Sequence, residues 1–406
     1  AYAITASSTN GTGTVITLKT DTDSDSSSLA LGAAAAGVTL DQVTAQNFET
    51  LTISSSGGAN TITDLTASDL TSLTVNATTA FTITNAITSA TALATVDASG
   101  STAAVDVDST NSTTAMTMTG GAGGDTLEGG SGNDTITGGA GADTLIGNAG
   151  VNTYNGGAGG DTITDTTGAS TINGGDGNDG ITPGSGNDTV DAGAGDDTLT
   201  YSTDGDLNTN DTVDGGDGTD TLALTIATDL STAFTLTSVE RVDLTANNGI
   251  TTIDFSNSSS VTNIEIQDGG NDAAFSLTSL ASGTTIDPEE TSAVAVTADT
   301  VTGGTLTLDA KANANASSSF TVSDAATVNI TTSAAAAGTY DLDAVVLDNA
   351  DTTALNITGS GVASAVLTTD VITGTDQLQS ISATSAASGA TITTGTIVDA
   401  DSLTCL

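Results

Sequence analysis

The stretch GGAGGDTLEGGSGNDTITGGAGADTLI, residues 120–146, decides the fold because it states one nine-residue pattern three times in succession. Each unit reads G-G-x-G-x-D-x-(aliphatic)-x, and further units of the same length follow without a break up to Thr200. Five residues, 201–205, are then inserted before the period resumes with residues 206–214 and 215–223. Residues 120–223 therefore form a block of nonapeptide repeats.

Each position of the nonapeptide has a separate chemical purpose. The glycines allow positive φ angles and tight turns, so that backbone carbonyls point toward one place. The acid at the sixth position supplies the hard oxygen ligand that Ca²⁺ prefers. Residues seven to nine form a short strand whose eighth side chain faces inward, and this position is apolar or aromatic throughout: Leu127, Ile136, Leu145, Tyr154, Ile163, Ile172, Ile181, Val190, Leu199, Val213 and Leu222. Such correlated positions argue against a flexible linker rich in glycine and aspartate.

The core of such a block is thin, because only one side chain in nine faces inward. Burial of that side chain alone does not balance the conformational entropy lost by nine ordered residues. Bound metal must therefore contribute to folding. The chain has no histidine and only one cysteine, Cys405, which excludes the usual zinc ligand sets and any intrachain disulfide. Oxygen ligands in a many-ligand cage favour Ca²⁺ over Mg²⁺, so we predict several calcium ions.

The charge of the chain supports the same conclusion and excludes several classes of function. Forty-nine acids face only Lys19, Arg241 and Lys311, which gives a formal net charge of −46. Such self-repulsion opposes compaction unless counter-ions are bound. Nucleic acid and anionic membranes are poor partners because both need basic patches. Without histidine there is no Ser-His-Asp or Cys-His catalysis, and neither HExxH nor GxSxG occurs. We therefore predict that the protein is not an enzyme.

The flanking segments have the texture of short β-strands. Aliphatic-Thr-aliphatic alternation recurs about every ten residues, as in Leu51–Ile53 and Leu73–Val75 before the block and Ile264–Ile266 after it. We predict an all-β protein with three parts: a β-rich, solenoid-like N-terminal domain (1–119), the calcium-binding block (120–223) and a β-rich, solenoid-like C-terminal domain (224–406). The segment 29–43 is a helical candidate that Gly32 and Gly37 weaken.

No stretch of about 18 apolar residues is present, so we expect no membrane insertion. The sequence AYAITASSTN at residues 1–10 lacks the basic and apolar regions of a signal peptide. A removed signal, an export route without one, and a fragment of a longer chain all remain open.

The repeats resemble the RTX calcium-binding nonapeptides. The flanks, for example LATVDASGSTAAVDV (93–107) leading into MTMTGGAGGDTLEGG (116–130), are similar to the Thr/Ser/Ala-rich surface-layer (S-layer) proteins and other large exported proteins that contain such blocks. This resemblance implies a parallel β-roll within an elongated β-solenoid-like or multi-domain β architecture. It also implies export by a type I secretion system and folding outside the cell, once calcium is met.

The resemblance further implies that two nonapeptides make one turn, so that every second unit stacks in one row. The first ladder is then Asp125, Asp143, Asp161, Asp179 and Asp197, without a gap. The second ladder is Asp134, Asn152, Ser170 and Asp188, and we expect weak or absent metal binding near Asn152 and Ser170. The insertion should interrupt the rows before Asp211 and Asp220. Nonapeptides that begin at Gly147, Asp165 and Pro183 depart from the consensus.

The predicted calcium-binding residues are the second, fourth and sixth positions of the units that keep the pattern. They are Gly121, Gly123, Asp125, Gly130, Gly132, Asp134, Gly139, Gly141, Asp143, Gly157, Gly159, Asp161, Gly175, Gly177, Asp179, Gly184, Gly186, Asp188, Gly193, Gly195, Asp197, Asp211, Gly216, Gly218 and Asp220.

Our leading hypothesis is a structural subunit of a calcium-dependent extracellular assembly, either an S-layer or a surface filament. Its main partner would be further copies of itself, with cell-surface polysaccharide as a further candidate. An adhesin or a fragment of a larger type I-secreted RTX protein is the alternative. An exported hydrolase with an RTX secretion module is a third reading, which the scarcity of catalytic residue types disfavours.

Overall fold

The computed structural model describes residues 2–4, 15–19, 25–32, 37–203, 205–226, 230, 234–246, 250–268, 274–288, 295–309, 318–332, 339–347, 352–359, 366–373, 380–385, 391–398 and 404–405. Throughout these residues the regular secondary structure is β-strand, and the ladders between strands are parallel. The all-β prediction is confirmed. The chain divides into two compact units, residues 1–200 with 215–218 and residues 201–214 with 219–406.

The first unit contains the strands up to β20. They are β1 (Tyr2–Ile4), β2 (Val15–Lys19), β3 (Ser26–Leu31), β4 (Thr39–Gln46), β5 (Thr50–Ser55), β6 (Asn60–Thr66), β7 (Ser72–Ala77), β8 (Phe81–Ile83), β9 (Thr95–Asp97), β10 (Val105–Asp108), β11 (Thr117–Thr119), β12 (Thr126–Glu128), β13 (Thr135–Ala140), β14 (Thr144–Ala149), β15 (Thr153–Ala158), β16 (Thr162–Thr167), β17 (Thr171–Asp176), β18 (Gly180–Thr182), β19 (Thr189–Ala194) and β20 (Thr198–Tyr201).

Successive strands of this unit alternate between two parallel sheets. The odd-numbered strands β1 to β19 pair in sequence order in one sheet. The even-numbered strands β2 to β20 do so in the other. A chain that visits two sheets in turn, always in the same direction, is a β-solenoid. The parallel roll inside a solenoid-like architecture, predicted from the repeats, is therefore confirmed.

The length of one turn differs between the repeat block and the segment before it. In the block, Thr126 pairs with Thr144 and Thr135 pairs with Thr153, and hydrogen bonds between neighbouring turns join residues 18 positions apart. Two nonapeptides thus make one turn. In the preceding segment, from β3 to β9, paired residues of neighbouring turns lie 21 to 24 positions apart. The turns before the block are therefore three to six residues longer than those within it.

The interior of the roll consists of the predicted eighth-position side chains. Leu127, Ile163 and Leu199 are each 0 % exposed, and all the other eighth positions from Ile136 to Leu222 are buried as well. The preceding strands follow the same rule of alternation, with Leu51 and Ile53 of β5 buried. The threonines at the seventh positions point to the other face and are exposed or half-buried. This is the pattern expected of a strand with one face in the core and one in water.

The second unit contains the remaining strands. They are β21 (Thr212–Asp214), β22 (Thr221–Ile226), β23 (Thr235–Thr237), β24 (Arg241–Ala246), β25 (Ile250–Asp254), β26 (Asn263–Asp268), β27 (Ala274–Leu280), β28 (Thr285–Pro288), β29 (Ala295–Asp309), β30 (Ser318–Thr332), β31 (Thr339–Leu347), β32 (Ala354–Gly359), β33 (Val366–Thr373), β34 (Ser380–Ser385), β35 (Thr391–Val398) and β36 (Thr404–Cys405).

These strands also stack in parallel columns. One column runs β22–β24–β26–β28 and a second runs β25–β27. The long strand β29 joins both columns, because its first half pairs with β27 and its second half with β28. Beyond β30 the columns separate again into β31–β33–β35 and β32–β34–β36.

The helical candidate at residues 29–43 is wrong for the part that the structure describes. Leu29–Leu31 lie in β3 and residues 39–43 lie in β4, each paired in register with a neighbouring strand. Residues 33–36, the alanine run that suggested a helix, lie outside the described residues. Burial of Leu29, Leu31 and Leu40 in a sheet outweighs the helix propensity of alanine. The three-part division at residues 119/120 and 223/224 stays a prediction.

We expect Ile163→Ala to lower the free energy of unfolding of the calcium-loaded protein by about 2–5 kcal/mol. The substitution leaves a cavity in a core to which each nonapeptide contributes only one large apolar side chain. Urea titration in saturating calcium measures this loss. Thr162→Ala is the matched control, since Thr162 lies beside Ile163 on the same strand but is exposed. An equal loss from both variants would contradict the assignment of the core.

Candidate metal centre

The first ladder is a row of buried carboxylates along one edge of the roll. Asp125, Asp143, Asp161 and Asp197 are 1 % exposed and Asp179 is 2 % exposed. Each lies immediately before a strand of the even-numbered sheet. Its Oδ1 accepts a hydrogen bond from the backbone of the preceding turn: Asp125 N–H donates to Asp143 at 2.6 Å, and the three following pairs each measure 2.7 Å. The carboxylates are thereby fixed one above another at the spacing of the strands.

The second oxygen differs along the row. Oδ2 of Asp125 accepts the Gly121 N–H at 2.6 Å. Oδ2 of Asp143, Asp161 and Asp179 is buried and accepts no hydrogen bond. This oxygen faces the first glycine of its own nonapeptide. A Cβ added at Gly138 or Gly156 would collide with it, so only glycine lets the carboxylate lie this close to the backbone. A buried anionic oxygen with no donor is costly unless a cation completes its surroundings.

Burial and mutual repulsion change how readily these carboxylates ionise. Desolvation, together with the charges of Asp125 and Asp161, raises the pKa of Asp143 to about 6. Desolvation likewise raises the pKa of Asp179 to about 7, with contributions from Asp161 and Asp197. The pKa values of Asp125, Asp134, Asp161 and Asp197 are also raised, in each case first by burial. Without a cation, the ionised row is therefore destabilised by burial of its charges and by repulsion between neighbouring carboxylates.

These residues fit calcium. The donor set is oxygen only, and it includes buried carboxylate oxygens that lack a hydrogen-bond donor. Among the described residues, no three acidic, cysteine or histidine side chains converge on one point. The remaining ligands would then be backbone carbonyls of the glycine-rich loops and water. Bound calcium would neutralise neighbouring carboxylates of the row.

The second ladder differs from the first. Asp134 and Asp188 are placed as predicted, because Oδ1 of each accepts a backbone N–H of the preceding turn at 2.8 Å. Between them, Asn152 Oδ1 accepts the Asp134 N–H at 2.9 Å, and Ser170 Oγ accepts the Asn152 N–H at 3.1 Å. The backbone contacts thus continue through the gap, whereas the negative charge at the sixth position does not. The predicted loss of calcium binding near Asn152 and Ser170 stays a prediction.

The predicted glycines serve in two different ways. From Gly139 onward most of them have positive φ, for example 118° at Gly139 and 114° at Gly157, as the turn chemistry requires. At Gly121 and Gly130 the φ angle is not of this kind. There a Cβ would collide with the carbonyl oxygen of Ser101 or Ser112 in the preceding turn. In the first turns of the block glycine is therefore needed for close stacking.

In the second unit Asp211 and Asp220 are used differently from the first ladder. Asp211 Oδ2 accepts the N–H of Asn208 in its own loop at 2.6 Å, which makes a local turn. The Asp220 N–H donates to Oε2 of Glu240 at 3.0 Å, so Glu240 takes the position that an aspartate has in the first ladder. The nonapeptide pattern does not identify Glu240, because this residue lies outside the block. Its carboxylate is also one methylene farther from the backbone than that of an aspartate.

A protein cation balances stacked acids elsewhere in the second unit. Asp243, Glu265 and Asp287 lie in register on β24, β26 and β28. Arg241 forms an ion pair with Asp243 at 2.5 Å and another with Glu265. Sequence analysis counted Arg241 only as a charge. The ion pairs of Arg241 depend on the pairing register of β24, β26 and β28. The alternation of apolar and polar residues predicts strands and does not predict this register.

Comparison with known families agrees with this geometry. The RTX calcium-binding nonapeptide repeat matches four segments, residues 119–154, 155–190, 184–207 and 208–224. Residues 119–224 are an RTX repeat block. RTX nonapeptides bind several calcium ions and are characteristic of exported proteins. Within the described residues, no helix is long and apolar enough to cross a membrane. No curated protein sequence and no solved structure matches the chain.

We expect Asp161→Asn to reduce the number of calcium ions bound by at least one. The amide keeps an oxygen for the Asp143 N–H but replaces the anionic Oδ2 that faces Gly156. Isothermal titration calorimetry on the full chain measures the stoichiometry. Asp176→Asn is the control, because it removes the same charge from an exposed side chain of the same roll. Identical stoichiometry in both variants would count against the first ladder as ligands.

Calcium affinity should fall as the pH is lowered through about 7 and then about 6, the raised pKa values of Asp179 and Asp143. A raised carboxyl pKa means that the calcium-free fold gains stability in acid and loses it as the pH rises through that value. Calcium must displace the protons, so binding releases them in this window and not at pH about 8. Calorimetry in buffers of different ionisation enthalpy measures this release, and its absence would contradict the assignment.

Proposed function

We propose that this protein is a structural subunit of a calcium-dependent extracellular assembly, an S-layer or surface filament. In this proposal the chain leaves the cell by type I secretion and folds when it binds calcium outside. The main partner is a second copy of the same chain, and cell-surface polysaccharide is a further candidate.

The observation that supports this proposal best is the continuity of the calcium block with the solenoid before it. Strand β11 lies outside the consensus units and pairs with β9 on one side and with β13 of the block on the other. In the other sheet, β10 pairs with both β8 and β12. The RTX segment is therefore built into the same two sheets as its N-terminal neighbour. Calcium bound in the block would order a structural element, which argues against a secretion module appended to a separate catalytic domain.

The energetics of the roll favour folding outside the cell. The buried carboxylates oppose folding when no cation is present, and the net charge of −46 adds to that repulsion. Extracellular calcium modules bind at roughly 10⁻⁴–10⁻³ M, well above the calcium concentration of the cytosol. The binding free energy then becomes folding free energy after export.

The outer faces suit lateral contact between identical subunits. The exposed side of the odd-numbered sheet presents hydroxyl and amide side chains in register, among them Thr135, Thr153, Thr171 and Thr189. Regular stacked turns offer long, uniform surfaces of the kind that repeat proteins use for binding. Calcium can also bridge acidic surfaces of neighbouring subunits, which would otherwise repel one another.

Electron microscopy of the purified full chain, with calcium and with EGTA, tests this function. We expect ordered sheets or filaments in millimolar calcium and dispersed chains in EGTA, with a parallel but partial loss of the β signal in circular dichroism. Magnesium at equal ionic strength is the control for simple screening of charge. Folded but permanently dispersed particles in calcium would overturn the assembly role and favour an adhesin or a fragment of a larger protein. An unchanged β signal in EGTA would overturn calcium-coupled folding.

A further inference from the structure

The four residues that break the consensus in the middle of the second ladder are in contact with one another. Asp165 Oδ1 accepts hydrogen bonds from Asn152 Nδ2 at 3.0 Å and from the Tyr154 hydroxyl at 2.9 Å. Asp165 Oδ2 accepts a third from the Ser170 hydroxyl at 2.6 Å. All four side chains are at most 2 % exposed. We refer to Asn152, Tyr154, Asp165 and Ser170 as the Asp165 cluster.

Each member of the Asp165 cluster stands where the nonapeptide has something else. Asn152 and Ser170 replace the sixth-position acid, Tyr154 replaces the eighth-position aliphatic residue, and Asp165 replaces the first glycine. Tyr154 keeps its ring in the core, 1 % exposed, and extends its hydroxyl toward the loop. Two sixth-position charges are thus missing, and one of them is returned by Asp165 at the first position of the nonapeptide 165–173.

The space beside the first glycine shows what this exchange does. In the consensus units a Cβ at that glycine would collide with a carboxylate Oδ2, as at Gly138 and Gly156. At Gly147 it would collide instead with the Tyr154 hydroxyl and lie 2.6 Å from Asn152 Nδ2. Hydrogen-bond donors thus occupy the position that an anionic acceptor has elsewhere. A cation near Gly147 would face the Tyr154 hydroxyl and the Asn152 amide nitrogen instead of an anionic carboxylate oxygen.

The buried carboxylate of the Asp165 cluster has its partners within the protein. Three donors approach its two oxygens, whereas Oδ2 of Asp143, Asp161 and Asp179 on the first ladder has none. Charge-assisted hydrogen bonds of this kind stabilise a buried anion without a metal. The backbone contacts of the ladder also persist, through Asn152 Oδ1 and Ser170 Oγ.

We propose that the Asp165 cluster is a calcium-independent polar junction that replaces a metal site between the nonapeptides 147–155 and 165–173. It holds two neighbouring turns together when calcium is absent and divides the second ladder into separate parts around Asp134 and Asp188. On the first ladder Asp143, Asp161 and Asp179 have no such junction, and this part of the row depends on calcium. This inference concerns the repeat block and does not rest on the assembly role proposed above.

The four departures are expected to depend on one another. Removing one donor leaves a buried group without its partner, which is unfavourable and most so when that group is charged. Restoring the consensus at a single position therefore disrupts the Asp165 cluster without completing a calcium site. Only simultaneous restoration removes the Tyr154 hydroxyl and gives a carboxylate beside a first glycine in both nonapeptides, as on the first ladder.

Hydrogen exchange of the full wild-type chain in EGTA gives the first test. We expect the Asn152 and Ser170 amides, which donate within the second ladder, to exchange at least tenfold more slowly than the Asp143 and Asp161 amides of the first ladder. In calcium the two sets should be similarly protected. Equal exchange of both sets in EGTA would overturn the proposal, and this comparison needs no variant.

Two variants give the second test. Tyr154→Phe removes one donor at nearly constant volume and should abolish the slow exchange in EGTA while the calcium stoichiometry stays unchanged. The combined variant Asn152→Asp, Tyr154→Ile, Asp165→Gly and Ser170→Asp should bind at least one calcium ion more than wild type by calorimetry. It should also lose the protection in EGTA. A folded combined variant with wild-type stoichiometry, or a Tyr154→Phe protein that keeps its protection, would contradict the proposal.

Discussion

The stacking of buried carboxylates at the spacing of β-strands is the constraint on which the roll depends. Parallel strands lie about 4.8 Å apart, so any residue repeated once per turn is placed directly above its copy. When that residue is an ionised aspartate buried at the edge of the roll, each new turn adds repulsion between carboxylates. It also adds the cost of removing one more charge from water. Asp143, Asp161 and Asp179 combine this arrangement with an oxygen that has no donor. A cation therefore becomes part of the fold.

The chain meets this constraint in three ways. On the first ladder, Oδ2 of Asp143, Asp161 and Asp179 has no donor and is available to calcium. The second ladder, at the Asp165 cluster, supplies three neutral donors to one carboxylate. The second unit uses Arg241, whose guanidinium pairs with Asp243 and Glu265 on adjacent strands. Metal, neutral donors and a basic side chain thus serve the same electrostatic purpose at different places along stacked strands.

Much of this could be predicted from the sequence because the period of the repeat is fixed by the backbone. The eighth-position side chains face inward, since side-chain direction alternates along a strand, and the Asp125 to Asp197 row follows once two units make a turn. The contacts of Asp165 and Glu240 could not be predicted in this way. They depend on how far a side chain reaches between turns, and a spacing pattern contains no information on that reach. The helix prediction for residues 29–43 was wrong in the described part for a related reason. Local helix propensity contains no information on which strands pair.

The alternation of successive nonapeptides between two sheets limits how the block can change in length. A turn consumes 18 residues, so one unit more or less sends every later strand to the opposite sheet and exchanges the two ladders. If the change came between Asp143 and Asn152, Asn152 and Ser170 would then stack with Asp125 and Asp143 of the first ladder. Neutral side chains would take positions at which that ladder has a carboxylate. Inside this block, an insertion or deletion keeps every later nonapeptide on its own ladder only when it adds or removes two units, a full turn of 18 residues.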